Sequence, residues 1–181
     1  MDKQTFSFEL VDTHAPEIVI EEALQQIEEA TRGYVMGEIS PYSGEIYSYT
    51  EKTGLSLSSL TFGQNEVKVD IQEKLGEQTN EKHRYEVFLK VKGLEHYKYR
   101  LMFVDYGAIA YPVTIVMNEA LAVEYSGKKS YIFRVQSMNL LNDLLDKIIN
   151  STTLVTLIQS LIREAMRQEQ KAALENGVKE E

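Results

Sequence analysis

The hydrophobic pattern is most regular in the C-terminal third of the chain, from residue 137 to about residue 171. Apolar residues there recur at intervals of three and four, which places a broad apolar stripe along one side of a helix. The side chains of residues 150–153, Asn-Ser-Thr-Thr, compete for backbone hydrogen bonds and predict a break or kink. The stripe is most regular at Leu154, Leu157, Ile158, Leu161, Ile162, Ala165 and Met166.

A second amphipathic segment lies near the N-terminus. Residues 5–11 alternate between apolar and polar and predict a strand. Residues 12–17 then offer capping oxygens, a proline and an early acid, which are typical of a helix start. Gly33 predicts the end of this helix. Its expected inward stripe is Ile20, Ala23, Leu24, Ile27 and Ala30.

Between these helices, from Tyr34 to Gln136, the apolar period changes to two, which indicates β-strands. Turn signals such as Gly44, Gly93 and Gly127 recur between the strands. The predicted strands cover residues 34–39, 45–50, 55–62, 66–72, 85–92, 96–103, 111–117, 121–125 and 130–136.

The clearest hairpin lies between residues 85 and 103. A three-residue loop, Gly93-Leu94-Glu95, would bring every apolar pair to one face, and a shared face is what specifies register. It would also set Lys90 opposite Lys98, an unfavourable pair of like charges. The predicted pairs are Val91 with Tyr97, Leu89 with Tyr99, Val87 with Leu101, and Tyr85 with Phe103.

These elements predict an α+β fold. We expect six to eight of these strands to form an antiparallel meander sheet, packed on an N-terminal helix and a long C-terminal helix in the order β-α-β(n)-α. This order resembles that of helix-grip and cystatin-like layouts, a likeness of element order that no family motif accompanies. We expect one domain over residues 1–175 and a flexible tail over residues 176–181.

Composition narrows the functional classes. The 181 residues carry a net charge of −9, which argues against direct nucleic-acid binding. There is no cysteine, which excludes disulfides and thiolate chemistry and fits a reducing compartment. No secretory signal is evident, and no apolar run approaches the roughly 18 residues that span a bilayer. We therefore expect a cytoplasmic protein without a membrane segment.

Charge is segregated along the chain, and this segregation suggests two candidate surfaces. The acidic first helix could dock onto a basic protein partner. The basic hairpin could hold an anion or a partner. The alternative is that both are solvated faces, the commoner meaning of a charge run. The acidic candidates are Glu17, Glu21, Glu22, Glu28 and Glu29, and the basic candidates are Lys90, Lys92, His96, Lys98 and Arg100.

Eleven tyrosines and no tryptophan raise the possibility of an aromatic-lined pocket. The candidates are Tyr85, Tyr97 and Tyr99, although tyrosine is also a common strand residue. The apolar columns of residues 140–149 could form a homodimer seam or be gripped by the sheet of the same chain.

No catalytic motif, metal-ligand spacing or cofactor motif is present. Histidines 14, 83 and 96 are far apart in sequence. Two of the turn-side carboxylates Glu38, Glu45 and Asp105 could share a cleft, although structural or solvated acids are the commoner case, and Glu38, Asp105 and His96 are the candidates if the chain is an enzyme. The leading hypothesis is a non-enzymatic intracellular protein-binding module, such as a small acidic inhibitor of the immunity or phage anti-defence type. The alternatives are a small-ligand-binding protein with a tyrosine-lined cavity, and an enzyme of unrecognised type.

Overall fold

The computed structural model describes residues 11–44, 81–128 and 130–177, with the side chains of the helix through residue 174. Those residues form four helices and one antiparallel sheet of five strands in the order β1-β2-β3-β4-β5. The elements are α1 (Pro16–Ala30), β1 (Val35–Pro41), β2 (His83–Val91), β3 (Leu94–Tyr106), β4 (Val113–Met117), α2 (Glu119–Ser126), β5 (Ile132–Val135), α3 (Met138–Ile149) and α4 (Thr152–Gly177).

The α+β class and the antiparallel sheet are confirmed, while the predicted count of six to eight strands is not. The predicted strands over 45–50, 55–62 and 66–72 lie outside the described residues, as does that over 5–11 apart from Val11. No helix in the described ranges is long and apolar enough to cross a membrane.

Helix α1 begins and ends close to where the sequence predicts. Pro16 occupies its first turn, where a missing N–H costs nothing. At the other end Arg32 and Gly33 both adopt positive φ, 52° and 76°. Their N–H groups donate to the carbonyls of Glu29 and Glu28 at 3.1 and 2.9 Å, which satisfies the last turn of the helix. The expected inward stripe is buried except for Ala30, which is exposed.

The β2–β3 hairpin follows the predicted register at only one point, Leu89 opposite Tyr99. At the tip, Val91 pairs with Leu94, so the turn is tighter than the predicted three-residue loop. Farther along, Val87 pairs with Met102 and Phe88 with Arg100, which leaves Leu101 as an extra residue in β3. This β-bulge shifts the alternation of β3 by one position.

The bulge changes which side chains of β3 face the core, so the predicted faces are wrong beyond it. Leu101 and Met102 both join the core, and Val104 and Tyr106 follow on the same side. Phe103, which the regular alternation placed inward, instead lies on the outer face, where its ring is 4.7 Å from that of Tyr42. A bulge leaves no signal in a pattern of apolar residues that continues on both sides of it.

Residues 121–125 were predicted as a strand, and this prediction is wrong. They lie in α2, whose first turn is capped by Asn118, with the side-chain oxygen accepting from the N–H of Ala120 at 3.1 Å. Gly127 ends the helix in the left-handed conformation. A short apolar run does not distinguish strand from helix, and the cap residues at both ends were the available signal.

The predicted break in the C-terminal helix is confirmed. Helix α3 ends at Ile149, and α4 starts two residues beyond Asn150. Ser151 occupies the corner: its hydroxyl donates to the carbonyl of Ile148 at 2.6 Å and accepts from the N–H of Leu154 at 3.2 Å. One serine thereby satisfies backbone groups of both helices.

The core lies on one face of the sheet, where all four helices contribute to a single cluster. Helix α1 approaches β1 so closely that a Cβ at Gly37 would lie 2.7 Å from the Cβ of Leu24. Glycine at this position sets the distance between helix and sheet.

We predict that Gly37→Ala lowers the free energy of unfolding by about 1–3 kcal/mol, the usual cost of overpacking. The Cβ of Leu24 cannot rotate away, so α1 itself must shift. Chemical unfolding monitored by circular dichroism measures the loss. Because Leu24→Ala removes two of the three crowding atoms, the double variant should lose less than the two single losses combined. Unchanged stability in Gly37→Ala would contradict this packing.

We predict that Ser151→Ala lowers the free energy of unfolding by about 0.5–2 kcal/mol, the range for losing a helix cap. Ser160→Ala is the matched control, since Ser160 is exposed in mid-α4, where its hydroxyl donates to the carbonyl of Thr156 and accepts from the exposed side chain of Arg163. It should change stability by less than about 0.5 kcal/mol. Equal effects of the two substitutions in urea unfolding would show that the corner serine has no special role.

Candidate functional site

The basic hairpin face is built around a buried carboxylate that the sequence did not single out. Glu86 in β2 is 8% exposed. Its two oxygens accept from the ammonium of Lys98 at 2.5 Å and from Nη2 of Arg100 at 2.6 Å. The Arg100 Nε also donates to it, at 2.9 Å. The pairing arises because these three positions share the outer face of neighbouring strands.

Aromatic rings lie against the two cations that pair with Glu86. The Lys98 ammonium is 3.8 Å from the centroid of the Phe88 ring, and the Arg100 guanidinium is 4.8 Å from that of Phe103. Such placements add cation–π attraction to the ion pairs. Burial acts to raise the pKa of Glu86, but hydrogen bonds and charge from Lys98 and Arg100 outweigh it, so the pKa lies below its ordinary value.

The remaining lysines of this face are also paired. Lys90 forms an ion pair with Glu38 of β1. Lys92 pairs with Glu169 of α4 at 3.1 Å, and this contact, with the hydroxyl of Tyr34, lowers the pKa of Glu169. His96 is exposed and has no such partner among the described residues. The structure therefore brings four of the five predicted basic residues into internal ion pairs, but Lys98 and Arg100 share the single carboxylate of Glu86, so these groups together retain one net positive charge.

The acidic helix is different. Glu21, Glu22, Glu28 and Glu29 are all exposed, and their side chains form no ion pair or hydrogen bond within the described ranges. They are distributed along the solvent side of α1, opposite the buried stripe. Helix α1 contains no Lys or Arg that could offset them. Their charge is uncompensated by anything that the structure describes.

Glu17 is set apart from the other four. It accepts a hydrogen bond of 2.5 Å from the hydroxyl of Tyr106, at the end of β3. Burial, and then this bond and the charge of Glu17, raise the pKa of Tyr106, so the hydroxyl remains a donor. Nearby, Tyr111 donates to the carbonyl of His14 at 3.2 Å, and burial raises its pKa to about 12. These contacts hold the start of α1 on the sheet.

The three tyrosines proposed for a pocket face the core but do not form one group, because Tyr97 and Tyr99 lie together and Tyr85 lies apart from them. Tyr85 stacks against Tyr106, with ring centroids 6.4 Å apart. Tyr97 and Tyr99 lie toward the hairpin tip, and Tyr99 is opposite Leu89. The four residue steps from Tyr85 to Leu89 span about 13 Å of strand. The tyrosine-lined pocket remains a prediction, with its candidates distributed over two regions.

The other candidates for chemistry are also separated. His14 is exposed, while His83 stacks on Tyr106 with ring centroids 4.8 Å apart. Asp105 lies 3.6 Å from Nε of Arg84, and Glu45 lies outside the described residues. Among the described residues there is no group of three or more His, Asp or Glu side chains that could hold a metal ion.

Most of the apolar side chains of α3 are buried within the chain. Leu141, Leu144, Leu145 and Ile148 are each 4% exposed or less, whereas Leu140 is 50% exposed. The apolar stripe of α3 thus packs on the core of its own chain. A homodimer through this helix remains a prediction, and the burial of the stripe does not support it.

Comparison with protein-family models, with curated proteins and with solved structures finds no match to this chain. Its function must therefore be argued from its own residues.

We predict that Glu86→Gln lowers the free energy of unfolding by about 1 kcal/mol at neutral pH. Hydrogen bonds to buried charged groups contribute about 1.5–3 kcal/mol, and solvent screening of the half-exposed cations reduces that value. Because the folded-state pKa is depressed, the difference from wild type should be complete above the unfolded-state pKa of about 4.3 and disappear as the pH falls through the folded-state value.

Urea unfolding at a series of pH values measures this difference. Glu95→Gln is the matched control, because Glu95 is exposed in the same hairpin and has no described partner. A difference for Glu86→Gln that stays constant from neutral to acid pH would show that its ion pairs do not stabilise the fold.

Proposed function

We propose that this chain is a cytoplasmic, non-enzymatic protein-binding module that docks a basic partner protein through the exposed face of α1. We call this surface the acidic docking face; it comprises Ile18, Glu21, Glu22, Gln25, Glu28 and Glu29. The observation that carries the proposal is its uncompensated charge. A small acidic inhibitor of another protein is one form that such a module takes.

The two charged surfaces of the chain differ in whether their charges already have ion-pair partners. On the hairpin, Lys90, Lys98 and Arg100 already have carboxylate partners. A partner there would have to displace an ion pair before gaining one. On α1 a cationic partner would gain attraction without displacing a described counter-ion, and complementary charge speeds and orients association.

An apolar side chain accompanies the acids. Ile18 is 43% exposed, and the helical spacing places it on the same side as Glu22, Gln25 and Glu29. Large apolar contacts near the centre of an interface contribute more to affinity than exposed charges at its rim. Ile18 can therefore act as an anchor, with the glutamates supplying orientation and partner choice.

The helix that carries this face is held firmly. Leu24 packs directly on Gly37 of β1, and Glu17 bonds to Tyr106 of β3. A surface on a fixed helix loses little conformational freedom when it binds, which favours affinity. The cysteine-free composition supports the reducing cytoplasm as the compartment.

We predict that Glu22→Lys/Glu29→Lys abolishes capture of a basic protein that the wild-type chain retains from a lysate of its source organism. Exposed charges are screened at high ionic strength, so wild-type capture should also weaken with added salt. Ile18→Ala should weaken capture with less effect on its salt dependence. Affinity chromatography with mass spectrometry identifies the protein, and calorimetry with the purified partner measures the affinity.

The matched control is Glu95→Lys/Asp143→Lys, which changes net charge equally but alters exposed acids outside α1. It should capture as wild type does. All variants should retain the wild-type circular dichroism spectrum and melting temperature. Capture that survives reversal on α1, or that both reversed variants lose equally, contradicts docking through this face. Failure of the wild type to capture any basic protein rejects the proposal.

A further inference from the structure

A pocket of about 330 Å³ lies between α2 and the corner where α3 meets α4. It is distant in sequence from α1 and plays no part in the proposed docking. Small-molecule sites occupy about 300–1,000 Å³, so this one suits a small ligand. Its walls come from α2, the last turn of α3 and the Asn150–Ser151 corner.

Apolar side chains make up much of its lining. Leu121 and Ile148 form the floor of the pocket and, at 1% and 3% exposed, each offers only a small apolar surface to a ligand. The ring of Tyr125 also lines it, held edge-on against Phe133 of β5 with centroids 5.2 Å apart. A ligand that binds here must therefore bring an apolar body of modest size.

The two charged groups of the pocket are not equally available. Glu124 uses one oxygen to accept from the N–H of Thr152 at 2.6 Å and the other to accept from that of Thr153 at 2.9 Å. A hydrogen bond from the Thr153 side chain, followed by these two backbone bonds, lowers the pKa of Glu124, which keeps it ionised. Its carboxylate is thus committed to the first turn of α4 and is a poor receptor for a ligand cation.

Lys147 is the available charge. Its ammonium lies 5.6 Å from the centroid of the Tyr125 ring, at the side of the pocket. It forms no ion pair with a carboxylate in the described part of the chain, and Asp143, one helical turn earlier, does not reach it. A lysine without a counter-ion beside an apolar cavity can donate to an anion.

From this arrangement we infer that the pocket binds a small carboxylic acid with an aromatic or branched apolar body. The body packs on Leu121, Ile148 and the Tyr125 ring, while the carboxylate accepts from Lys147. Both oxygens of Glu124 already accept from N–H groups of α4, which weakens the contact that Glu124 can offer to a ligand cation and reduces its repulsion of a second carboxylate.

The test uses the ¹⁵N-labelled full chain with phenylacetate as the probe and phenylacetamide as its neutral, nearly isosteric control. Phenylacetate should shift amide resonances of residues 121–125 and 147–151 in a saturable way. Lys147→Gln should weaken phenylacetate about two- to fivefold, the scale of a part-exposed ion pair, and leave phenylacetamide unchanged. Lys82→Gln, at an exposed lysine before β2, should change neither.

Three results would overturn the inference. The first is no saturable shift with phenylacetate up to its solubility limit. The second is a set of shifts centred elsewhere in the chain. The third is equal binding of phenylacetate and phenylacetamide that Lys147→Gln leaves unaltered, which would show that Lys147 takes no part. None of these results bears on the docking of α1, whose capture assay contains no carboxylic-acid probe.

Discussion

The pairing of β2 with β3 is the constraint on which the rest of this structure depends. Its long hairpin forms the centre of the sheet and presents a different chemistry on each side. Val87, Leu89 and Val104 face the helices and are fully buried. On the reverse side Glu86 forms ion pairs with Lys98 and Arg100. The bulge at Leu101 makes both arrangements compatible, because it turns Phe103 outward to lie beside Arg100 while Met102 takes its place in the core.

This sheet also explains why charge is distributed unequally over the surface. Adjacent strands offer positions about 5 Å apart, so cations of one strand find acids of the next. A helix whose inner side packs on the sheet has no such neighbour on its outer side. The glutamates of α1 therefore lack the partners that Glu38 and Glu86 give to the hairpin. That difference is the physical basis of the proposal that α1 docks a basic protein.

The corner between α3 and α4 is held by side chains from two separate segments of the chain. The start of α4 is satisfied by Ser151 from its own chain segment and by Glu124 from α2. These contacts position α2 across the corner, with Tyr125 inclined toward Phe133. The pocket for which we propose a carboxylate ligand lies in the space that this geometry leaves between the helices.

The sequence by itself did not identify α2, which it predicted as a strand, but it determined the class of the fold, the other three helices and the break before α4. These follow from local periodicity and from residues such as Pro16, Gly33 and Ser151, whose effects reach only a few positions along the chain.

Only the tertiary structure decided which charges are neutralised and which aromatic side chains meet. The sequence did not single out Glu86, because its contacts with Lys98 and Arg100 depend on cross-strand register. One extra residue at Leu101 changes the face of every side chain beyond it. Likewise, the use of Glu124 depends on where a helix from a distant segment begins, because the geometry of a site belongs to the packed chain.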